Sequence, residues 1–317
     1  MASSKPLKRA EDARPNGQHE YHVPVLLNEA VNALQIRADG VYVDCTFGGG
    51  GHSREILHHL GPKGKLIAFD QDPEAASQLP SDDRILFVPH NFRHLSRFLR
   101  LHGIEQIDGL LADLGVSSHQ FDEAARGFST RFEGPLDMRM SPNQSRTAAQ
   151  ILQTYQREQL QNMFGQYGEV TNAKTLAATI VNARATHAFD TIADFKHAIA
   201  GVVKGNPHKY FAQVFQALRI ELNEELVVLK EMLEQLPKVL RKGARVAIIS
   251  FHSLEDRMVK NFFRIGSFEE EELNPFATGK PLSTLLVITK KPITASAEEL
   301  KKNPRSRSAK LRVAEKI

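Results

Sequence analysis

The stretch Val43-Asp-Cys-Thr-Phe-Gly-Gly-Gly-Gly-His-Ser53 decides how this chain is read. An apolar run ends in an acid, four glycines follow, and a histidine opens what comes next. Glycines placed directly after a strand let backbone approach a ligand closely. The helix that follows adds its unpaired N-terminal N–H groups.

Working outward, the pattern alternates. "GVYVDC" (40–45) reads as a buried strand. "HSREILHHL" (52–60) has helical spacing, with Ile56, Leu57 and Leu60 on one face, and "GPKG" (61–64) stops it. Further strands are predicted at "KLIAFD" (65–70), "ILFVP" (85–89), "DGLLADLG" (108–115), "RVAIISFHS" (245–253) and "LSTLLVITKK" (282–291), with a long helix from about Asn223 to Leu240. Strands separated by helices predict an α/β fold with a parallel, doubly wound sheet, whose ligands bind beyond the carboxyl ends of the strands.

The spacing breaks once. Over a hundred residues separate Asp113 from Arg245, too many for one crossover helix. Within them, "REQLQNMFGQY", "NAKTLAATIVNARAT" and "TIADFKHAIAGVV" read as amphipathic helices, the last opened by a capping box from Thr191 to Asp194. The expected organisation is a polar tail (1–20), a first part of the sheet domain (21–124), a helical insertion (125–218) and a second part (219–317).

Composition narrows the class. The chain has 317 residues, 41% hydrophobic and 25% charged, with a net charge of +4 and a pI near 9.1, a mildly basic balance that weakly favours a nucleic-acid partner. One cysteine, Cys45, excludes an internal disulfide and fits a reducing compartment. The first twenty residues hold no apolar signal core, and no run approaches the roughly 18 apolar residues of a membrane helix. A cytoplasmic protein with a disordered tail and no membrane contact is expected.

The glycine loop discriminates between ligands. A dinucleotide fingerprint is G-x-G-x-x-G; Gly48 and Gly50 fit it, but the third position is Ser53. The spacing Asp44-x-x-x-Gly48-x-Gly50 instead resembles motif I of S-adenosylmethionine-dependent methyltransferases. An acid beside the loop suits the ammonium and sulfonium of that cofactor better than it suits a pyrophosphate. Asp70, 22 residues after Gly48, is placed to accept hydrogen bonds from ribose hydroxyls. The plain alternative is a glycine turn with no ligand.

Nine blocks then extend the likeness: "HVPVLLNEAV" (22–31), "DCTFGGGGHS" (44–53), "AFDQDPEA" (68–75), "DLGVSSHQFD" (113–122), "RGFS" (126–129), "GPLDMRM" (134–140), "FQALRIELNEEL" (215–226), "SFHSLEDR" (250–257) and "NPRSRSAKLR" (303–312). Together they resemble the bacterial ribosomal small-subunit methyltransferase H family, also called MraW, from Tyr21 to Ile317. That resemblance implies a Rossmann-like S-adenosylmethionine-dependent methyltransferase with an inserted helical domain. It also implies methylation of the N4 amine of one cytidine in the decoding region of 16S rRNA. Carried over by position, it implies that Gly50, Gly51 and His52 contact the methionine part, that Asp70 holds the ribose and that Phe92 lies against the adenine. Asp113 and Gln120 complete the set.

Several residues keep two readings. His52 is a ligand contact or merely a histidine at a helix start, and Phe92 is an adenine contact or core. Asp113 is the first choice for accepting hydrogen bonds from the reacting amine, with Ser117 or Ser118 assisting, yet it is equally suited to holding the cofactor. His252 is a general base, or part of a helix start where Glu255 and Asp256 serve the helix dipole. Asp137 faces the target base or holds its loop through Arg139. The cluster Arg305, Arg307, Lys310 and Arg312 contacts RNA phosphate, or is solvated and paired with acids. Arg126, Arg131, Arg139 and Lys209 are further candidates for phosphate contact. DNA amino-methyltransferases usually carry Asp/Asn-Pro-Pro-Tyr/Phe after the fourth strand; Asp113-Leu-Gly-Val116 lacks the aromatic, which argues against DNA and leaves the base-stacking residue undetermined. No Cys/His cluster has metal-ligand spacing, and the reaction needs no metal. The rival readings are a nicotinamide-dependent oxidoreductase and a non-catalytic small-subunit assembly factor. The oligomeric state has no signal in the sequence.

Overall fold

The computed structural model describes residues 24–268 and 283–317; the polar tail lies outside the described residues. Seven strands, β1 (Val41–Asp44), β2 (Lys65–Phe69), β3 (Ile85–Val88), β4 (Ile107–Asp113), β5 (Leu240–Ser250), β6 (Leu285–Val287) and β7 (Lys310–Lys316), form one sheet in the order β3-β2-β1-β4-β5-β7-β6. The first five are parallel, in register from Val41 opposite Lys65 to Asp113 opposite Ile249. They are near-continuous apolar runs because helices cover both faces: six of the seven residues of β4 are buried, and only Asp113 at its end is not.

Twelve helices accompany them: α1 (Leu27–Ala33), α2 (Gly51–His59), α3 (Leu95–Leu101), α4 (Ser118–Asp122), α5 (Ala148–Thr154), α6 (Arg157–Gly168), α7 (Ala173–Ala183), α8 (Ile192–Ile199), α9 (Pro207–Asn223), α10 (Glu225–Val239), α11 (Ser253–Ile265) and α12 (Ala297–Lys302). One core cluster runs from Val43, Phe69, Leu110 and Ile248 to Leu233 of α10 and Phe262 of α11. The other face packs Ile56 and Leu57 of α2 with Leu111 and Ile249.

Helices α5–α9 have a core of their own, from Phe128 to Leu222, including Phe164, Leu176, Phe195 and Val214. Thr191 caps α8 by accepting the Asp194 N–H while Asp194 Oδ2 accepts the Thr191 N–H, the predicted box. This core reaches Leu222, four residues past the expected boundary at 218. Helix α9 continues unbroken to Asn223, and only the left-handed Glu224 (φ 51°) separates it from α10.

Two expectations for the sheet are corrected. It is mixed rather than all parallel, because β7 runs antiparallel between β5 and β6. The late strand predicted at 282–291 shrinks to Leu285–Val287, an edge strand paired on one side only. The central place beside β5 goes to the segment read as a basic cluster: Leu311, Arg312, Val313 and Ala314 are all buried. Its alternation of charged and apolar residues hides a strand whose arginine is neutralised by a distant acid.

Candidate active site

The carboxyl ends of β1, β2 and β4 place three acids around the glycine loop. Asp44 ends β1, and it is wholly buried. Its Oδ1 accepts the Thr46 N–H (3.0 Å), and its Oδ2 accepts from Ser53 Oγ (2.7 Å). Ser53, the residue that spoils the dinucleotide fingerprint, is therefore the anchor of this acid. Asp70 follows β2 and accepts the N–H of Gly48 (2.7 Å) and of Asp72 (2.8 Å), so it fixes the start of the loop. Asp113 ends β4; its own N–H donates to Thr46 Oγ1 (2.7 Å). Thr46 thus ties Asp44 to Asp113.

The loop itself needs its glycines. Gly50 has φ 74° and precedes the first turn of α2, where a side chain would be strained. A Cβ on Gly51 would lie 2.1 Å from Pro24 Cγ, so the loop closes against the segment leading into α1. His52 is buried behind it, with Nε2 3.1 Å from the Val25 carbonyl and Nδ1 3.8 Å from Asp113 Oδ2.

The electrostatics of these acids are unusual. Burial pushes Asp44 above the usual carboxylate range, partly offset by His52. Burial raises Asp70 to about 6, against the backbone N–H groups of Asp72 and Gly48, which lower it. Asp113 is raised well above the ordinary value by burial, then by the charges of Asp44 and Glu255. Burial also lowers His52. Among the described residues no Lys or Arg forms an ion pair with any of the three acids, and no protein group donates to the buried Asp113 Oδ1. Three clustered carboxylates without a cation form a site for a cationic ligand. S-adenosylmethionine, with its ammonium and sulfonium, fits this donor set; a pyrophosphate does not.

Other predicted residues have settled places. Phe92 lies in the turn after β3 and packs on the main core while remaining partly exposed. Ser117 caps α4, accepting the Gln120 N–H (3.1 Å), and Gln120 Oε1 accepts the Ser117 N–H (3.2 Å). The Gln120 amide nitrogen donates to Asp72 Oδ2 (2.8 Å) and the Met140 carbonyl (3.2 Å). The Gln120 amide thus braces the loops that meet at this end of the sheet. Ser118 is the first residue of α4 and half-buried.

His252 is the N-cap of α11. Its Nδ1 accepts the Glu255 N–H (3.4 Å) while Glu255 Oε2 accepts the N–H of Phe251 (2.9 Å) and of His252 (3.4 Å). Its Nε2 is 3.2 Å from Glu255 Oε1, but off-line for a hydrogen bond. Glu225, His252 and Glu255 stand close enough to share an ion. However, Arg219 already spans both Glu225 oxygens (2.8 and 3.0 Å), and an accepting Nδ1 keeps the ring proton on Nε2.

Several of the remaining charges are engaged within the structure. Asp137 is gripped by Arg139 through both oxygens (2.8 Å each), which holds it below the usual carboxylate range despite burial. Arg139 also donates to the carbonyls of Pro142 and Gln144. Arg126 donates to Asp72 (2.6 Å) and to the carbonyls of Arg139 and Met140. Both guanidinium groups therefore make most of their hydrogen bonds within the protein. Arg312 pairs with Asp256 (2.6 Å), Lys310 also reaches Asp256 (3.3 Å), and Arg305 pairs with Asp122. Sequence reasoning missed Asp72, the hub that receives Gln120 and Arg126. Its one local signal is Asp72-Pro73-Glu74, the start of a capped turn in which Asp72 Oδ1 accepts the Glu74 N–H (3.1 Å). Nothing local points to partners 48 and 54 residues away.

The fold and this acid-lined glycine loop define a Rossmann-like S-adenosylmethionine-dependent methyltransferase. Residues 19–317 match the model of the MraW methylase family, and the chain belongs to that family. It is 53% identical over 298 residues to a protein of Azobacteroides pseudotrichonymphae named ribosomal RNA small subunit methyltransferase H, covering 94% of this chain and 98% of that one. Proteins of the same name from Parabacteroides distasonis (52% over 299 residues, 94% and 98% covered) and Flavobacterium johnsoniae (50% over 301 residues, 94% and 98%) are similar to the same extent.

Proposed function

We propose that this chain methylates the N4 amine of one cytidine in the decoding region of the 16S rRNA of the small ribosomal subunit. The observation that carries the chemistry is Asp113: a carboxylate at the end of the fourth strand with a buried, unpartnered oxygen and no cation of its own. The names of the relatives support the RNA substrate. Membership in a methylase family and the unpaired acids leave the nicotinamide reading without support. Nothing in the site favours the assembly-factor reading.

S-adenosylmethionine supplies an already activated methyl group on a sulfonium. The chain's residues do the rest. Gly50, Gly51 and the first turn of α2 bring backbone close, Asp70 receives the ribose hydroxyls, and Phe92 offers a ring to the adenine. Cytosine N4 is a poor nucleophile because its lone pair is delocalised into the ring. A preorganised carboxylate that accepts its N–H groups favours the pyramidal, positively charged nitrogen that develops on attack. Asp113 takes that role, held by Thr46, with Ser117 and Ser118 beside it at the start of α4. The cytidine must leave its stack to reach this rim. The helical body α5–α9 is the surface that recognises the surrounding RNA by shape and backbone.

The test is transfer of labelled methyl from S-adenosylmethionine to small-subunit particles and to the RNA extracted from them, with the product nucleoside identified. N4-methylated cytidine is expected, and particles should outperform a short cytidine oligonucleotide. Methyl on another base, or none, would overturn the assignment. Excising 125–218 is not a clean test of recognition, because it removes Arg126 and with it the brace on Asp72.

A further inference from the structure

We infer that Phe132, backed by the guanidinium of Arg131, is a stacking platform for an unpaired RNA base next to the target nucleotide; this rests on the RNA reading above. The loop that carries it is pinned at both ends. Phe128 and Leu136 are buried in the helical core. A Cβ on Gly134 would meet the Ala124 carbonyl oxygen at 2.3 Å. Lys196 Nζ donates to the Thr130 carbonyl (3.2 Å). Between these anchors the chain presents Arg131 and Phe132 outward.

Phe132 is 38% exposed, and it is the one aromatic among the exposed large apolar side chains of the described residues; the others are Leu, Val and Ile. Arg131 lies 5.9 Å from the centre of its ring and 5.5 Å from that of Phe121. Unlike Arg126 and Arg139, Arg131 forms no ion pair among the described residues. Arg131 thereby touches Phe121 of α4, the helix that Ser117 caps four residues after Asp113, which links the platform to the segment that leaves β4. An exposed ring beside an uncommitted arginine suits a single-stranded nucleotide: the ring takes the face of a base, and the cation takes cation–π contact or phosphate.

The chain contains no tryptophan, so Phe132→Trp installs a single tryptophan, excited selectively over the five tyrosines, at the proposed contact. Adding protein-free small-subunit RNA should quench its emission, with affinity near that of the wild type. Phe132→Ala should bind the same RNA about five- to a hundredfold more weakly, with S-adenosylmethionine affinity unchanged. Unchanged RNA affinity in the alanine variant, or unchanged emission of the tryptophan variant, would overturn the platform. So would a loss seen with whole particles but not with free RNA, since the partner would then be a ribosomal protein. A wild type that methylates neither the particles nor the RNA extracted from them, while the alanine variant still loses RNA affinity, would overturn the substrate assignment alone.

Discussion

Acids on the two flanks of the sheet's carboxyl rim are treated in opposite ways. Around the glycine loop, Asp44, Asp70 and Asp113 form no ion pair with a Lys or Arg among the described residues, and burial pushes all three up. Four other acids, after β2, beside β5 and at the junction with the helical body, have an arginine each: Asp72 with Arg126, Asp137 with Arg139, Glu225 with Arg219 and Asp256 with Arg312. Asp137 and Asp256 are held low by those partners. Glu225 is raised by burial even so. A carboxylate given its own cation is architecture; a carboxylate left without one is prepared for a cation that arrives with a ligand.

The largest expected effect lies on the paired flank. Arg312→Ala leaves Asp256 facing only Lys310 in a mostly buried position, which should cost about 3–5 kcal/mol of stability. Denaturant unfolding measures this, and cofactor affinity of the surviving folded protein should not change. A selective loss of cofactor affinity would break the division between the two flanks.

Next is Asp113→Asn, which keeps shape and removes charge. Turnover should fall on the order of 10²–10³-fold, as when one preorganised polar group is lost. If kcat and cofactor affinity fall together instead, Asp113 serves to hold the cofactor and another group accepts from the amine.

A smaller effect is expected from Asp70→Ala, which removes a charged acceptor worth about 1.5–3 kcal/mol, so that S-adenosylmethionine binds roughly tenfold or more weakly. Titration calorimetry reads this directly, and unchanged affinity removes Asp70 from the site.

The smallest is a pH effect. Asp70 titrates at about 6 in the folded chain against an ordinary value of 3.8. Its contribution to stability is therefore complete below pH 3.8 and lost as pH rises through 6, because folding holds a proton that the unfolded chain releases. Cofactor affinity runs the other way, since ribose hydroxyls donate to the ionised form. Binding should strengthen through pH 6 and release protons near it, and Asp70→Asn should flatten both. A flat wild-type profile would mean that the unpaired acids do not titrate with the ligand.

Local chemistry in the sequence determined a good deal. Apolar runs of strand length located β1 to β5, and the four glycines after Asp44 located the turn between β1 and α2. Helical periodicity between Asp113 and Arg245 located the helical body, and Thr191 with Asp194 marked the start of α8. Each of these signals lies within a few residues, because strand alternation, glycine freedom and helix capping are short-range effects. Tertiary structure decided what the charged residues do. Arg312 meets Asp256 across 56 residues, and Arg126 meets Asp72 across 54. The strand β7 becomes buried only because β5 offers it an edge. Whether an acid finds an arginine depends on which chain segments fold against each other, and so the difference between a brace and a binding site appears only when the chain has closed.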